Sequence, residues 1–312
     1  MKIPQKSFQG LLPPFTDVEI LRGERLKSDV IMLADTIGER NTGCYDNLLL
    51  AQSFVADSFE ELGYMVRIES YDVDGFQVAN VEAERIGSEF PDEIIVVGAH
   101  YDTVRGSVGA NDNASGVSGL LELARMFKDH PPERTIRFVA FTCEEPPYFY
   151  SDMMGSRIYA SGCKERQENI IGMICIDCLG WYSDEEGSQQ IPYPMEASNY
   201  PDTANFVLFC SNEESLPLFN KCINEFRSTT AFPCEGIVSP ESEHPTFLSW
   251  ADNINFWRED YQAIIITDTA LFRSSHYHTP SDTYEKIDYQ RMSRVVGGVG
   301  RVVESLAEIR SK

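Results

Sequence analysis

Long apolar runs are missing from this chain of 312 residues. No stretch approaches the roughly 20 apolar residues that a membrane-crossing helix needs, so no membrane partner is expected. The start, Met1 to Gly10, lacks the apolar centre of a secretory signal. As written the chain is expected in the cytoplasm, or outside the cell if a leader was removed. Positive charge is equally short: 26 Lys and Arg face 49 Asp and Glu, for a formal net charge of −23. Nucleic acid and anionic lipid would both be repelled. An acidic, solubilising surface accounts for the imbalance, and cationic substrates such as a protonated amino terminus are compatible with it.

A disulfide framework is also absent. Cys143, Cys175, Cys178 and Cys210 lie in or beside apolar runs, as small buried thiols do. Cys175 and Cys178 form a lone Cys-x-x-Cys with no second pair, which argues against a zinc ribbon or redox motif. Cys222 and Cys234 are left open as a pair. No internal repeat or break in composition divides the chain, so a single domain over 1–312 is expected.

What the sequence does contain is a set of short apolar runs, each giving way to a polar residue. They are Ile94 to His100, Ile136 to Glu145 and Ile171 to Asp177. Runs of that length, rich in β-branched residues, predict buried strands of a largely parallel sheet. Tyr64–Tyr71 and Gln77–Glu84 alternate like strands of an antiparallel edge. Helices are predicted over 46–62, 118–128, 154–163, 216–227 and 289–309, and further buried strands over 206–210 and 263–267. Trp181 to Tyr200 reads as a long surface loop. The class is therefore α/β, with chemistry at the carboxyl ends of the strands.

The polar residues at those ends are His100, Glu144, Glu145 and Asp177, with Asp112 in a loop rich in Gly, Asn and Ser and His278 in a later turn. Carboxylates and imidazoles delivered from several strands suit a divalent metal. Asp112 sits among small residues, Gly109 to Gly116, that let the backbone approach a cluster closely. Its two oxygens can bridge two ions about 3.5–4 Å apart, or cap the helix that follows. Asp102 is a natural carboxylate partner for the second nitrogen of His100. Glu144 and Glu145 point in different directions, so one can bind metal while the other handles a proton. His276 rivals His278, whereas His130 and His244 read as surface loop residues.

Five ordered stretches then match a family: Gly98-Ala99-His100-Tyr101-Asp102-Thr103, Ala110 to Gly116, Glu144-Glu145-Pro146-Pro147, Ile176 to Gly180, and Tyr277 to Thr283. The chain resembles the di-zinc aminopeptidases that include bacterial leucine aminopeptidase and aminopeptidase Y. The resemblance implies a three-layer α/β/α sandwich with a mixed, mostly parallel central sheet. It implies two zinc ions bridged by Asp112, with His100 and Asp177 on one and Glu145 and His278 on the other. Glu144 is then the general base, and the partners are peptides with a free amino terminus. It also implies a cis peptide between Asp112 and Asn113.

One departure stands out. Relatives commonly carry Ser-Asp-His where this chain has Ala251-Asp252-Asn253, which puts pocket shape or oxyanion support in question. Two other readings share the fold. A glutaminyl-cyclase-like acyltransferase works with one zinc and typically has Trp where Tyr277 stands. A non-catalytic binding protein, like the peptidase-like domain of transferrin receptor, has lost ligands, and none of the six residues is missing here. The aromatics Tyr148 to Tyr150, Trp181-Tyr182 and Phe256-Trp257 are expected to wall an apolar substrate pocket.

Overall fold

A computed structural model describes residues 6–191, 199–239 and 247–308. Its strands are β1 (Met65–Val73), β2 (Phe76–Arg85), β3 (Phe90–His100), β4 (Arg134–Phe141), β5 (Asn169–Ile176), β6 (Val207–Ser211), β7 (Cys234–Val238) and β8 (Ala263–Thr267). They form one sheet in the order β1-β2-β4-β3-β5-β8-β6-β7. The four central strands, β4-β3-β5-β8, are mutually parallel, while β1, β2 and the β8–β6 pairing run antiparallel. The expected mixed, mostly parallel sheet is thus present. The edge hairpin docks on β4, and β7 was not anticipated because Glu235 and Gly236 interrupt its apolar run, unlike those of the equally short β6 and β8.

Among the described residues, seven α-helices cover the sheet: α1 (Asp17–Ile31), α2 (Tyr45–Glu61), α3 (Gly116–Phe127), α4 (Gly155–Glu165), α5 (Leu216–Thr229), α6 (Asn253–Trp257) and α7 (Tyr289–Leu306). Strand alternation divides the core in two. Ile95, Val97, Ala99, Ile174 and Ile176 point to the face covered by α2, α3, α5 and α7. Their neighbours Ile94, Val96, Met173 and Cys175 point to the face under α4 and α6. That is the three-layer arrangement. α1 adds an outer helix, started by a capping box in which Thr16 Oγ1 accepts from the Glu19 amide and Glu19 Oε2 accepts from the Thr16 amide.

From β3 the chain passes through α3 to β4 on one side, then through α4 to β5 on the other. The strand order therefore reverses beside β3, which opens a crevice at its carboxyl end. All eight cysteines are free, including Cys222 and Cys234, so that pairing is not formed. No described helix is long and apolar enough to cross a membrane. His130 is exposed as expected. His244, Ile309 and residues 192–198 of the expected 181–200 loop lie outside the described residues.

Candidate metal centre

Five chain segments meet at that crevice, the last being the turn after β8 that carries His278. His100 is the last residue of β3, Glu144 and Glu145 follow β4, and Asp177 follows β5. Asp112 arrives from an irregular turn, Ala110–Ser115, that leads into α3. Gly109 makes that turn possible. Its φ of 54° is left-handed, and a Cβ there would collide with the carbonyl of Asp112. The Asp112–Asn113 peptide is cis, as the resemblance implied.

The carboxylate of Asp112 divides its oxygens. Oδ1 lies 3.2 Å from His100 Nε2, and Oδ2 lies 3.0 Å from His278 Nε2. On one side, His100 Nε2 is 3.7 Å from Asp177 Oδ1. On the other, His278 Nε2 is 3.2 Å from Glu145 Oε2. Two triads result, His100–Asp112–Asp177 and Asp112–Glu145–His278, each with ligand atoms within 4.8 Å of one another. The six sequence-predicted residues are thus brought together, Glu144 with Oε2 3.9 Å from His100 Nε2. His276 is not part of the cluster; its Nδ1 pairs with Ser281 Oγ at 2.9 Å.

The second triad is not satisfied by its own hydrogen bonds. His278 Nε2 and Glu145 Oε1 are buried without a hydrogen-bond partner. Donor atoms that converge at near-contact distance without bonding one another fit a cation placed between them. The charge balance agrees. Burial pushes the carboxyl of Glu144 well above the ordinary range, and burial followed by Asp112 raises that of Glu145 to about 7. Burial alone would lower His278, but its contacts with Asp112 and Glu145 outweigh that and raise it to about 10. Without a cation the cluster thus draws in protons; cations in the same place would displace them and hold the carboxylates ionised.

The supporting network was only partly legible. His100 Nδ1 turns to Asp102, as expected, but lies 3.2 Å from the backbone carbonyl and 3.6 Å from the carboxylate. The Asp102 carboxylate accepts instead from the amides of Glu144 at 3.1 Å and Glu145 at 3.2 Å, fixing both glutamates. Asn113 clamps two loops: Nδ2 donates to the Ile176 carbonyl at 3.0 Å, while Oδ1 accepts from the Gly116 and Cys178 amides. Asn113 thereby takes the helix-start role that Asp112 was also suited to. Asp282 accepts from the backbone amides of Asn111 at 2.9 Å and Asp112 at 3.1 Å. Sequence reasoning missed Asp282 and Asn113, although both lie inside quoted motifs. Cys143, Cys178 and His278 adopt φ of 56°, 59° and 56°, a strained region for non-glycine residues, all at or beside cluster residues.

A cleft opens next to Asp177, lined among others by Phe247, Trp250, Leu271, Phe272 and Tyr277. Trp250 stacks on Phe272, and Tyr277 stacks on His278. Of the expected aromatic walls, Tyr148 lines a small cavity with Glu145, whereas Tyr182, Phe256 and Trp257 do not line the cleft beside Asp177. Phe256 and Trp257 are buried under the sheet, Trp257 Nε1 donating to the Ala263 carbonyl. Tyr182 packs on Phe232, and Tyr148 bonds Thr42. Asn253 is buried, donating through Nδ2 to the Leu248 carbonyl at 2.9 Å, so it shapes the support of this region and not its opening.

Residues 80–303 match peptidase family M28. The chain belongs to that family. This M28 peptidase is 34% identical over 289 residues to the uncharacterized protein YfbL of Escherichia coli, covering 88% of this chain and 86% of that one. Among solved structures, BSAP, a zinc aminopeptidase from Bacillus subtilis, shares the fold with TM-score 0.72 at 15% identity, over 93% of this chain and 95% of that one. A glutaminyl cyclase of Macrostomum lignano matches with TM-score 0.70 at 17% identity, over 98% of each chain. At such identities these likenesses concern the fold of the M28 chain. Family membership makes it a hydrolase of peptide bonds.

Proposed function

We propose that this chain is a di-zinc aminopeptidase that removes the N-terminal residue from peptides. The observation that carries this reading is the division of Asp112, whose two oxygens face two separate triads. A one-ion enzyme has no use for a shared carboxylate with a complete ligand set on each side. When bound, the two zinc ions would supply a water of lowered pKa and polarise the scissile carbonyl.

The chain's own residues supply the rest. Glu144 is buried, and its amide is anchored on Asp102. It is the group left over once His100, Asp112, Glu145, Asp177 and His278 are assigned as ligands. Its raised affinity for a proton lets it take one from the attacking water, hold it, and hand it to the leaving amine. The apolar cleft beside Asp177 receives the first side chain of the substrate. The surplus of carboxylates around the cluster suits a free amino terminus.

Elemental analysis and a substrate assay test the reading together. Near two zinc per chain is expected, with leucine released from a leucyl anilide and activity abolished by chelator. One zinc with no anilide turnover would favour glutaminyl-cyclase-like chemistry, which the shared fold permits. No zinc and no turnover would point to a binding protein.

A further inference from the structure

A second polar cavity lies away from the metal centre, between α1, the end of α5 and α7. It measures about 180 Å³, and its lining includes Glu19, Arg22, Thr230, Arg294 and Arg301. It shares no lining residue with the metal triads. Arg294, Gly297, Gly298 and Arg301 recur at helical spacing and so present one face of α7. The two glycines let Arg22 and the end of α5 come close against α7 at the cavity wall. A Cβ at Gly297 would come within 2.5 Å of Arg22 Nη1, and one at Gly298 within 2.6 Å of Thr230 Oγ1.

Two buried guanidiniums at this cavity are under-satisfied. Arg294 is 3% exposed; Nη2 donates to the Pro13 carbonyl, but Nε and Nη1 have no hydrogen-bond partner. Its nearest carboxylate oxygen, Glu19 Oε1, is 3.6 Å away, and the other Glu19 oxygen is taken by Thr16. Arg22 donates through Nη1 to the Ser293 carbonyl at 3.1 Å, and its Nε is likewise unpartnered. Glu122 lies 3.7 Å from Arg22 Nε but is engaged by Arg25. Arg301, at the mouth, is paired with Glu304 at 2.7 Å. Buried N–H donors without acceptors are costly unless a ligand or solvent supplies them.

We infer that this cavity is a binding site for a phosphate group. Three guanidiniums and one carboxylate line the cavity; Glu122 and Glu304 sit outside the lining against Arg22 and Arg301, so the unpartnered Nε and Nη1 of Arg294 and Nε of Arg22 are the donors left for a ligand. Guanidinium forks recognise tetrahedral oxyanions by paired hydrogen bonds, and the Thr230 hydroxyl adds a donor from the facing wall. The volume exceeds what one water needs and accommodates a phosphate or the head of a phosphorylated small molecule. Nothing in this inference depends on the peptidase reading.

Calorimetric titration of the zinc-loaded protein with inorganic phosphate, at constant ionic strength, tests it. One phosphate per chain is expected whose Kd is weakened about tenfold or more in Arg301→Gln, the loss of one charged hydrogen bond. Arg294→Gln should weaken it further; if that buried change unfolds the chain, the exposed Arg301→Gln still decides. Phosphate held by the metal centre would be lost in Asp177→Ala and untouched by Arg301→Gln, and that pattern overturns the site. So does acetate binding as tightly as phosphate, or no binding at all. Glycerol 3-phosphate, run in parallel, separates free phosphate from a phosphorylated small molecule by which binds more tightly, either order supporting the site.

Discussion

Asp282 holds Asp112 by the backbone: its Oδ2 accepts from the Asp112 amide at 3.1 Å while its Oδ1 accepts from the preceding amide at 2.9 Å. The two residues are 170 positions apart, so the final turn of the site sets the geometry of the first. Asp282→Asn keeps one acceptor and loses the other. Zinc affinity, measured by competition with a chromogenic chelator, should fall about 10–100-fold, as for other groups that orient a ligand. Unchanged affinity would mean that Asp112 is positioned without this clamp.

Glu144→Gln tests the base. The amide keeps the shape of the side chain but cannot take up a proton. Turnover of a leucyl anilide should drop by about 10²–10⁴ with KM nearly constant. Zinc content should stay near that of the unaltered protein, since Glu144 lies outside both triads. An active variant would refute the assignment.

Asp177→Ala and Asp112→Ala separate the two triads from the shared residue. Asp177 belongs to one triad and Asp112 to both. Elemental analysis should find about one zinc lost per chain in the first variant and both lost in the second. Equal losses in the two variants would show that Asp112 is not a bridge.

The cleft beside Asp177 makes a selectivity prediction. Phe272 packs edge-on against Phe247 and stacked on Trp250, forming one wall. Phe272→Ala should lower kcat/KM for leucyl relative to alanyl anilide by roughly tenfold, the scale of a lost apolar contact. If the ratio is unmoved, the substrate side chain binds elsewhere.

Stability of the metal-free protein should fall as pH rises. Burial is the first cause that raises Glu145, Asp252 and Asp282 to about 7 each, from ordinary values near 4. His278 is raised to about 10 by Asp112 and Glu145, against the opposing effect of burial. In every case the folded chain binds the proton more tightly than the unfolded chain. The contribution is therefore complete below the unfolded pKa and is lost as pH climbs through the folded one. The carboxyls place that loss between about pH 4 and 7, and His278 extends it from about 6.5 towards 10. Thermal unfolding in chelator should show a lower Tm at pH 8 than at pH 5, with zinc restoring it most at the higher pH. A Tm that rises with pH would contradict this account.

Much of the site was readable before any coordinates because four of its residues close apolar runs, while Asp112 and His278 lie in short motifs of small and turn-forming residues. His100, Glu144 and Asp177 close apolar β-branched strands, and such strands must be buried and parallel. The supports were less visible. Asn113 and Asp282 act through hydrogen bonds to backbone amides and carbonyls far along the chain, and such bonds leave no periodic trace. The aromatic pocket was misplaced for a related reason. Phe256 and Trp257 look like lining by composition, yet strand packing turns them inward, and Phe247, Trp250 and Phe272 take the opening.

By itself the sequence determined the α/β class, the mostly parallel sheet and the identity of the cluster residues, because apolar period and chain order are local properties. Only the tertiary structure decided that Asp112 turns one oxygen to each histidine, that Asp102 and Asp282 brace the loops, and that three arginines surround a second hollow. Those outcomes depend on where the reversal of strand order beside β3 and the crossing of α1, α5 and α7 bring distant segments together. No stretch of neighbouring residues encodes such meetings, since they arise from burying two faces of one sheet at once.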